Sequence, residues 1–153
     1  MTEEELQSSH RFYAADCFNR VWGLLDRSDR TEEEDRLMRE MAHASLFHWL
    51  CREDAKPMNL SVGLWQLSRV YAVLGRAVES RSYAEECIEI SKSAELPPFY
   101  QGYGYEAAAR AALVSGEEAR RETFLKLARE QLEEVVDPEE KALLAADLAD
   151  LES

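Results

Sequence analysis

Glycine and proline are scarce in this chain, six and four among 153 residues. No glycine follows asparagine or aspartate, and nowhere do apolar and polar residues alternate for long. Without hairpin turns or a two-residue period, a β-rich fold has no support. No apolar run approaches the ~20 residues that a bilayer-spanning helix requires. The opening "MTEEELQSSH" has neither the basic region nor the apolar stretch of a secretory signal. Cys17, Cys51 and Cys87 are odd in number and far apart. That argues against a disulfide framework and fits reduced thiols in the cytoplasm. Positive charge is also short: 18 Lys and Arg stand against 31 Asp and Glu, a net charge of −13. Such a chain repels phosphate backbones and anionic lipid, so nucleic acid and membrane surfaces are disfavoured as partners.

What is present points to helices. The chain is 46% hydrophobic and 32% charged, enough to bury the core of one domain spanning 1–153. Ala, Leu, Glu and Arg dominate, and all are strong helix formers. "TEEE" at Thr2–Glu5 and at Thr31–Glu34 reads as a capping box, in which side chains satisfy orphan backbone N–H groups. "DPEE" at Asp137–Glu140 supplies an Asp cap with Pro in the first turn. Acidic runs are therefore helix starts before they are anything else. The pattern predicts an all-α fold with helices over 3–26, 31–52, 58–74, 76–93, 98–114, 117–136 and 138–152.

The chain also resembles itself. Shifted by 41 residues, Pro57 meets Pro98, Gly63 meets Gly104 and Gly75 meets Gly116. Arg69 falls on Arg110, Val73 on Val114 and Glu89 on Glu130, and Tyr83 meets Phe124. Matched punctuation at such a period predicts helix pairs that each bury an apolar face on the next. Within the unit, Leu64, Leu67, Ser68 and Tyr71 precede the turn at Gly75, and Ser80, Ala84 and Cys87 follow it. This order resembles the tetratricopeptide repeat, although the spacing of 41 is longer than the common 34. As a whole the chain is also similar to small bacterial tetratricopeptide-like proteins, a likeness that adds no chemistry. The resemblance implies a right-handed stack of antiparallel helix pairs. Residues 57–93 and 98–136 are the two units, 5–52 is a degenerate pair with Gly23 at the turn, and 138–152 is a capping helix. In that last segment Leu144, Leu148 and Leu151 make one narrow apolar stripe. Residues 130–153 hold nine acidic and one basic side chain, and so carry −8 of the −13.

No Gly-x-Ser-x-Gly, His-Glu-x-x-His or phosphate loop is present. "FYQGYGYEAAAR" has two glycines, but they open a helix after Pro-Pro with no strand before them. Glu40 and His43 form one Glu-x-x-His pair, whereas carboxylate-bridged metal bundles need two. The expectation is no metal and no cofactor. The alternative is a helical enzyme, or a metal or small-molecule binder, that uses His10, Cys17, His43 and His48.

The resemblance implies that a second stripe of each first helix lines a concave groove. That stripe is Val62, Trp65, Arg69 and Val73 in one unit and Tyr103, Glu106, Arg110 and Val114 in the next. The degenerate unit offers His10, Tyr13, Cys17 and Arg20. Arginine and aromatic residues dominate binding hot spots. The expected function is therefore a non-enzymatic module that binds a peptide or protein surface, with Arg69 and Arg110 gripping carboxylate or phosphate groups. Internal pairing of Arg110 with Glu106, and stacking of Arg69 on Trp65, is the competing reading. A homodimer, with an acidic helix of one copy filling the groove of another, is a third.

Overall fold

A computed structural model of the chain describes residues 1–152 and contains, among them, seven α-helices and no strand. The helices are α1 (Glu3–Leu25), α2 (Glu32–Cys51), α3 (Pro57–Val73), α4 (Ala77–Ser93), α5 (Pro98–Ser115), α6 (Glu118–Glu134) and α7 (Pro138–Ala149). None is long and apolar enough to cross a membrane.

The helix starts follow from local chemistry. The Glu5 amide donates to Thr2 Oγ1 at 3.1 Å, and the Thr2 amide donates back to Glu5 Oε2 at 2.7 Å. Thr31 and Glu34 repeat the exchange at 3.2 and 3.0 Å. Asp137 Oδ1 accepts from the Glu139 amide at 3.1 Å. Pro57, Pro98 and Pro138 sit in first turns, where the missing N–H has no partner to lose.

The ends of α3, α4 and α5 use left-handed residues. Gly75 and Gly116 have φ of 75° and 77°, a region open to glycine without a side-chain clash. Each is followed by an amide that reaches five residues back, Arg76 to the Tyr71 carbonyl and Glu117 to the Ala112 carbonyl. Glu95 ends α4 in the same way at φ 50°, without glycine. The ends of α6 and α7 lie two and three residues before the expected ones. Val135 turns extended and buries its side chain, while Val136 points to solvent. After Asp150 the chain leaves the helix, yet Leu151 still reaches the core.

Consecutive helices pack against one another along the whole chain. The odd-numbered helices also touch their next odd neighbours, α1 to α3, α3 to α5 and α5 to α7. Even-numbered helices meet through side chains, His43 of α2 beside Tyr83 of α4 and Arg120 of α6 donating to Glu85 of α4 at 3.1 Å, while the backbones of the odd ones approach one another in one contiguous layer. At its centre α5 is buried nearly all round, and it is built from Gly102, Gly104 and a run of alanines. Small residues allow four helices to approach it. A Cβ on Gly104 would lie 3.3 Å from the Ile88 Cα, and one on Gly63 would lie 3.1 Å from Leu46 Cδ1. Leu144, Leu148 and Leu151 are fully or almost fully buried against Tyr105, Leu125 and Ala128.

Gly102 couples α5 to α7. A methyl there would fall 2.6 Å from Leu144 Cδ2. Gly102→Ala alone should cost ~1–3 kcal/mol by overpacking, and Leu144→Ala alone ~2–5 kcal/mol by leaving a cavity. Together they should be less damaging than Leu144→Ala, because the new methyl enters vacated space and alanine favours helix over glycine by ~1 kcal/mol. Urea titrations of the four proteins check this; simple additivity would show that α7 does not press on Gly102.

Candidate functional site

The odd-helix layer carries a buried ionic cluster beneath an aromatic pocket. At its base lies Glu106, the one charged residue in the buried class among the described residues, with no exposed surface. Trp65 Nε1 donates to Glu106 Oε2 at 2.9 Å. Arg69 Nη2 and Arg110 Nε donate to Oε1 at 3.1 and 2.8 Å. A carboxylate with several lone pairs accommodates all three donors. Arg69 Nη2 also lies 3.3 Å from Asp147 Oδ1, and Tyr103 donates its hydroxyl to Asp147 Oδ2 at 2.7 Å. Two guanidiniums therefore meet two carboxylates, and the cluster ties α3, α5 and α7 together.

The electrostatics are consistent with that balance. Burial opposes the Arg69 charge, yet Glu106 and then Asp147 outweigh it, and the guanidinium pKa rises above its ordinary value. Burial, followed by the hydrogen bond to Asp147, raises the Tyr103 phenol well above its usual range. Tyr103 thus stays protonated and remains a donor.

Above the cluster is a pocket of about 260 Å³. Ser61, Val62 and Trp65 of α3 form one side, and Phe99, Tyr100 and Tyr103 of α5 form another. Trp22 of α1 closes one end, while Leu143 and Asp147 of α7 close the other. The rings brace each other. Trp22 and Trp65 centroids are 5.4 Å apart at 35°, and Tyr103 meets Trp65 and Phe99 edge-on, at 5.1 Å from each. The Arg69 guanidinium lies over Trp65, 5.4 Å from its centroid.

The predicted groove residues divide into groups. Val62, Trp65 and Tyr103 line the pocket. Arg69, Arg110 and Glu106 lie under it, and the two arginines do converge, but on the chain's own carboxylate. Val73 is exposed further along α3. Tyr13 and Arg20 do not line the pocket. Tyr13 stacks near His48, with centroids 5.5 Å apart, and Arg20 is an exposed partner of Asp16 at 3.7 Å. In that stripe His10 and Tyr13 lie beside His48 of α2 and Cys17 enters the core, so α1 turns Trp22 toward α3 instead, with Phe18 edge-on to it. Trp22, Ser61, Phe99, Tyr100, Leu143 and Asp147 were not anticipated. Leu143 and Asp147 had a readable signal: they are four residues apart, beside the inward leucine stripe of α7.

The four residues of the metal alternative fall in three places. His10 Nδ1 and His48 Nδ1 are 2.8 Å apart at the surface end of α1 and α2. His43 Nε2 pairs with the Tyr71 hydroxyl at 2.7 Å. Cys17 is a core residue whose thiol pKa is raised, chiefly by burial. Among the described residues no three His, Cys, Asp or Glu side chains converge as metal ligands would. Burial likewise pushes the Cys87 thiol up to about 11, far from a reactive thiolate at neutral pH.

No family model, curated protein or solved structure matches this chain.

Two predictions follow from these pairings. Glu106→Ala leaves two buried guanidiniums and an indole N–H without their acceptor, and should cost ~3–5 kcal/mol in urea denaturation. Glu106→Gln, which keeps an oxygen for Trp65, should cost less. A loss below ~1 kcal/mol for the alanine variant would mean that the arginines find other partners. The second concerns pH. Burial lowers the pKa of His43, and burial with the charge of His10 lowers that of His48, both from 6.5. On acidification the unfolded chain therefore binds these protons first. Their contribution to stability is complete above pH 6.5 and is lost as pH falls toward the folded values. The melting temperature of a His43→Gln, His48→Gln variant should fall less steeply across that window than that of the wild type. Parallel slopes would refute the assignment.

Proposed function

We propose that this chain is a non-enzymatic protein- or peptide-binding module of tetratricopeptide-like build. In this reading 5–52, 57–93 and 98–136 are successive helix pairs of a right-handed stack, closed by the helix in 138–152. Several features support it. The odd helices contact one another in succession, α1 to α3, α3 to α5 and α5 to α7. Pro57 and Pro98 start α3 and α5, and Gly75 and Gly116 end them with the same backbone sign. Gly63 and Gly104 each lie against the preceding helix. The free thiols of Cys17, Cys51 and Cys87 suit a reducing compartment such as the cytoplasm.

The observation that carries the functional reading is the aromatic pocket on the odd-helix layer. Its walls are braced rings held by a charge-balanced base, so little ordering remains to oppose binding. Aromatic side chains in a concave site are typical of hot spots where a partner inserts a side chain. At about 260 Å³ the pocket is smaller than the ~300–1,000 Å³ that encloses a drug-sized ligand. That size favours one inserted side chain over a whole cofactor.

The test compares baits. Leu143→Asp changes an exposed wall residue, and Val62→Gln a half-buried one, without touching the ionic cluster. Proteins captured by the wild type should be retained about tenfold less by either variant, the effect of ~1.4 kcal/mol at a hot spot. Both variants should melt where the wild type does. Equal capture by all three baits would place the contact elsewhere on the molecule.

A further inference from the structure

We infer that the pocket's partner is a basic peptide segment that inserts one aromatic or aliphatic side chain beside Trp22 and Trp65 and lays flanking lysines or arginines along α7. This rests on the protein-binding reading above and specifies the chemistry of the partner.

Charge decides against an acidic occupant. The arginines that would attract one are already paired, Arg110 with Glu106 and Arg69 with both Glu106 and Asp147. No lysine or arginine is among the residues that line the pocket. Arg69 Nε has no acceptor of its own, but the charges at the base already balance, so an incoming carboxylate would add an unmatched negative charge and the cost of its own desolvation.

The rim carries the opposite sign. Glu140, Leu143 and Asp147 of α7 and Asp150 at its C-cap stand at i, i+3, i+7 and i+10, and so share one face. Leu143 and Asp147 are pocket walls; Glu140 precedes them by one turn, in a neighbouring hollow that shares Phe99 with the pocket, and Asp150 follows them by one turn. Glu140 is close enough to Tyr100 that its charge acts on that phenol. With the rim included, residues 130–153 contribute −8 of the net −13. A field of that sign concentrates cationic partners and repels anionic ones before contact.

The spacing sets a register. At 1.5 Å rise per residue, Glu140 and Asp150 are each about 7 Å along α7 from the middle of the pocket wall. An extended peptide advances about 7 Å in two residues. Positive side chains two residues before and two residues after the anchor therefore fall opposite the two acids.

The test uses capped pentapeptides and the full chain. The first is lysine–serine–phenylalanine–serine–lysine. One control puts alanine at the centre, and another replaces both lysines by glutamates. Binding is read from the indole N–H resonances of Trp22 and Trp65. Trp49 lies on α2 under Arg52, outside the pocket, and serves as the internal reference. The lysine–phenylalanine peptide should shift Trp22 and Trp65 but not Trp49. It should bind about tenfold more tightly than either control, a difference of ~1.4 kcal/mol, and weaken as salt rises. Glu140→Gln with Asp150→Asn, which leaves the ionic cluster intact, should remove most of that advantage. If the glutamate peptide binds the same indoles as tightly, the basic-partner inference is overturned and the module reading stands. If no peptide shifts either pocket indole at millimolar concentration, the inference also falls, and the bait comparison decides the module separately.

Discussion

A carboxylate with no exposed surface sits at the meeting point of the odd-numbered helices, and its neighbours are arranged around its charge. Glu106 cannot be hydrated where it lies, so it must be held by donors. Trp65 and Arg69 supply them from α3, and Arg110 supplies another from its own helix. Arg69 then needs a second anion, which Asp147 provides from α7. Such a network contributes little net stability, because the cost of desolvating its members offsets much of their attraction. Its effect is on register. A slip of α3 or α7 along α5 would strand a buried charge, whereas a slip of an alanine face would cost far less. The same donors fix the Trp65 ring, and with it the wall of the pocket.

Close approach is the complement of that constraint. The ionic cluster spans α3 to α7 because α5 between them is thin. Its glycines and alanines admit Ile88 on one side and Leu144 on the other at distances that any larger residue would prevent. Buried serines serve the same end elsewhere. Ser61 and Ser91 hydrogen bond at 2.7 Å, and Ser68 and Ser80 exchange hydroxyl-to-carbonyl bonds at 2.8 and 2.9 Å across α3 and α4. Small polar residues thus let helices touch while satisfying each other's hydroxyls, without a long side chain to order.

Much of this was legible in the linear chain, and what was not has a physical reason. Helix starts could be read because Thr–Glu and Asp–Pro signals act within one turn. The Gly75 and Gly116 turns could be read because only glycine adopts their backbone sign cheaply. Glu95 uses that sign without glycine, and so gave no signal. On α1 two stripes, one through His10, Tyr13 and Cys17 and one through Phe18 and Trp22, are both apolar enough to face a neighbour. Periodicity cannot choose between them. The choice is made by α2, whose Met38, Met41 and Ala42 bury Cys17 and Val21, leaving Trp22 for Trp65. Asp147 was hidden for a related reason: an acid on an acidic helix reads as solvated until its long-range partner is known.

The two arginines show what that omission costs in a functional reading. Arginines at matched positions among aromatic residues suggest a grip on anions. That holds only if their charge is unspent. Glu106 occupies the position of Trp65 one period on, so the counter-ion was visible within the same alignment. Asp147 completes the balance from α7. Once both carboxylates are counted, the base of the pocket is neutral and its walls are aromatic, and the sign of the site passes to what surrounds it. On an otherwise acidic molecule, the field at the mouth of the pocket is then set by the acids of α7 rather than by the most conspicuous cations beneath it.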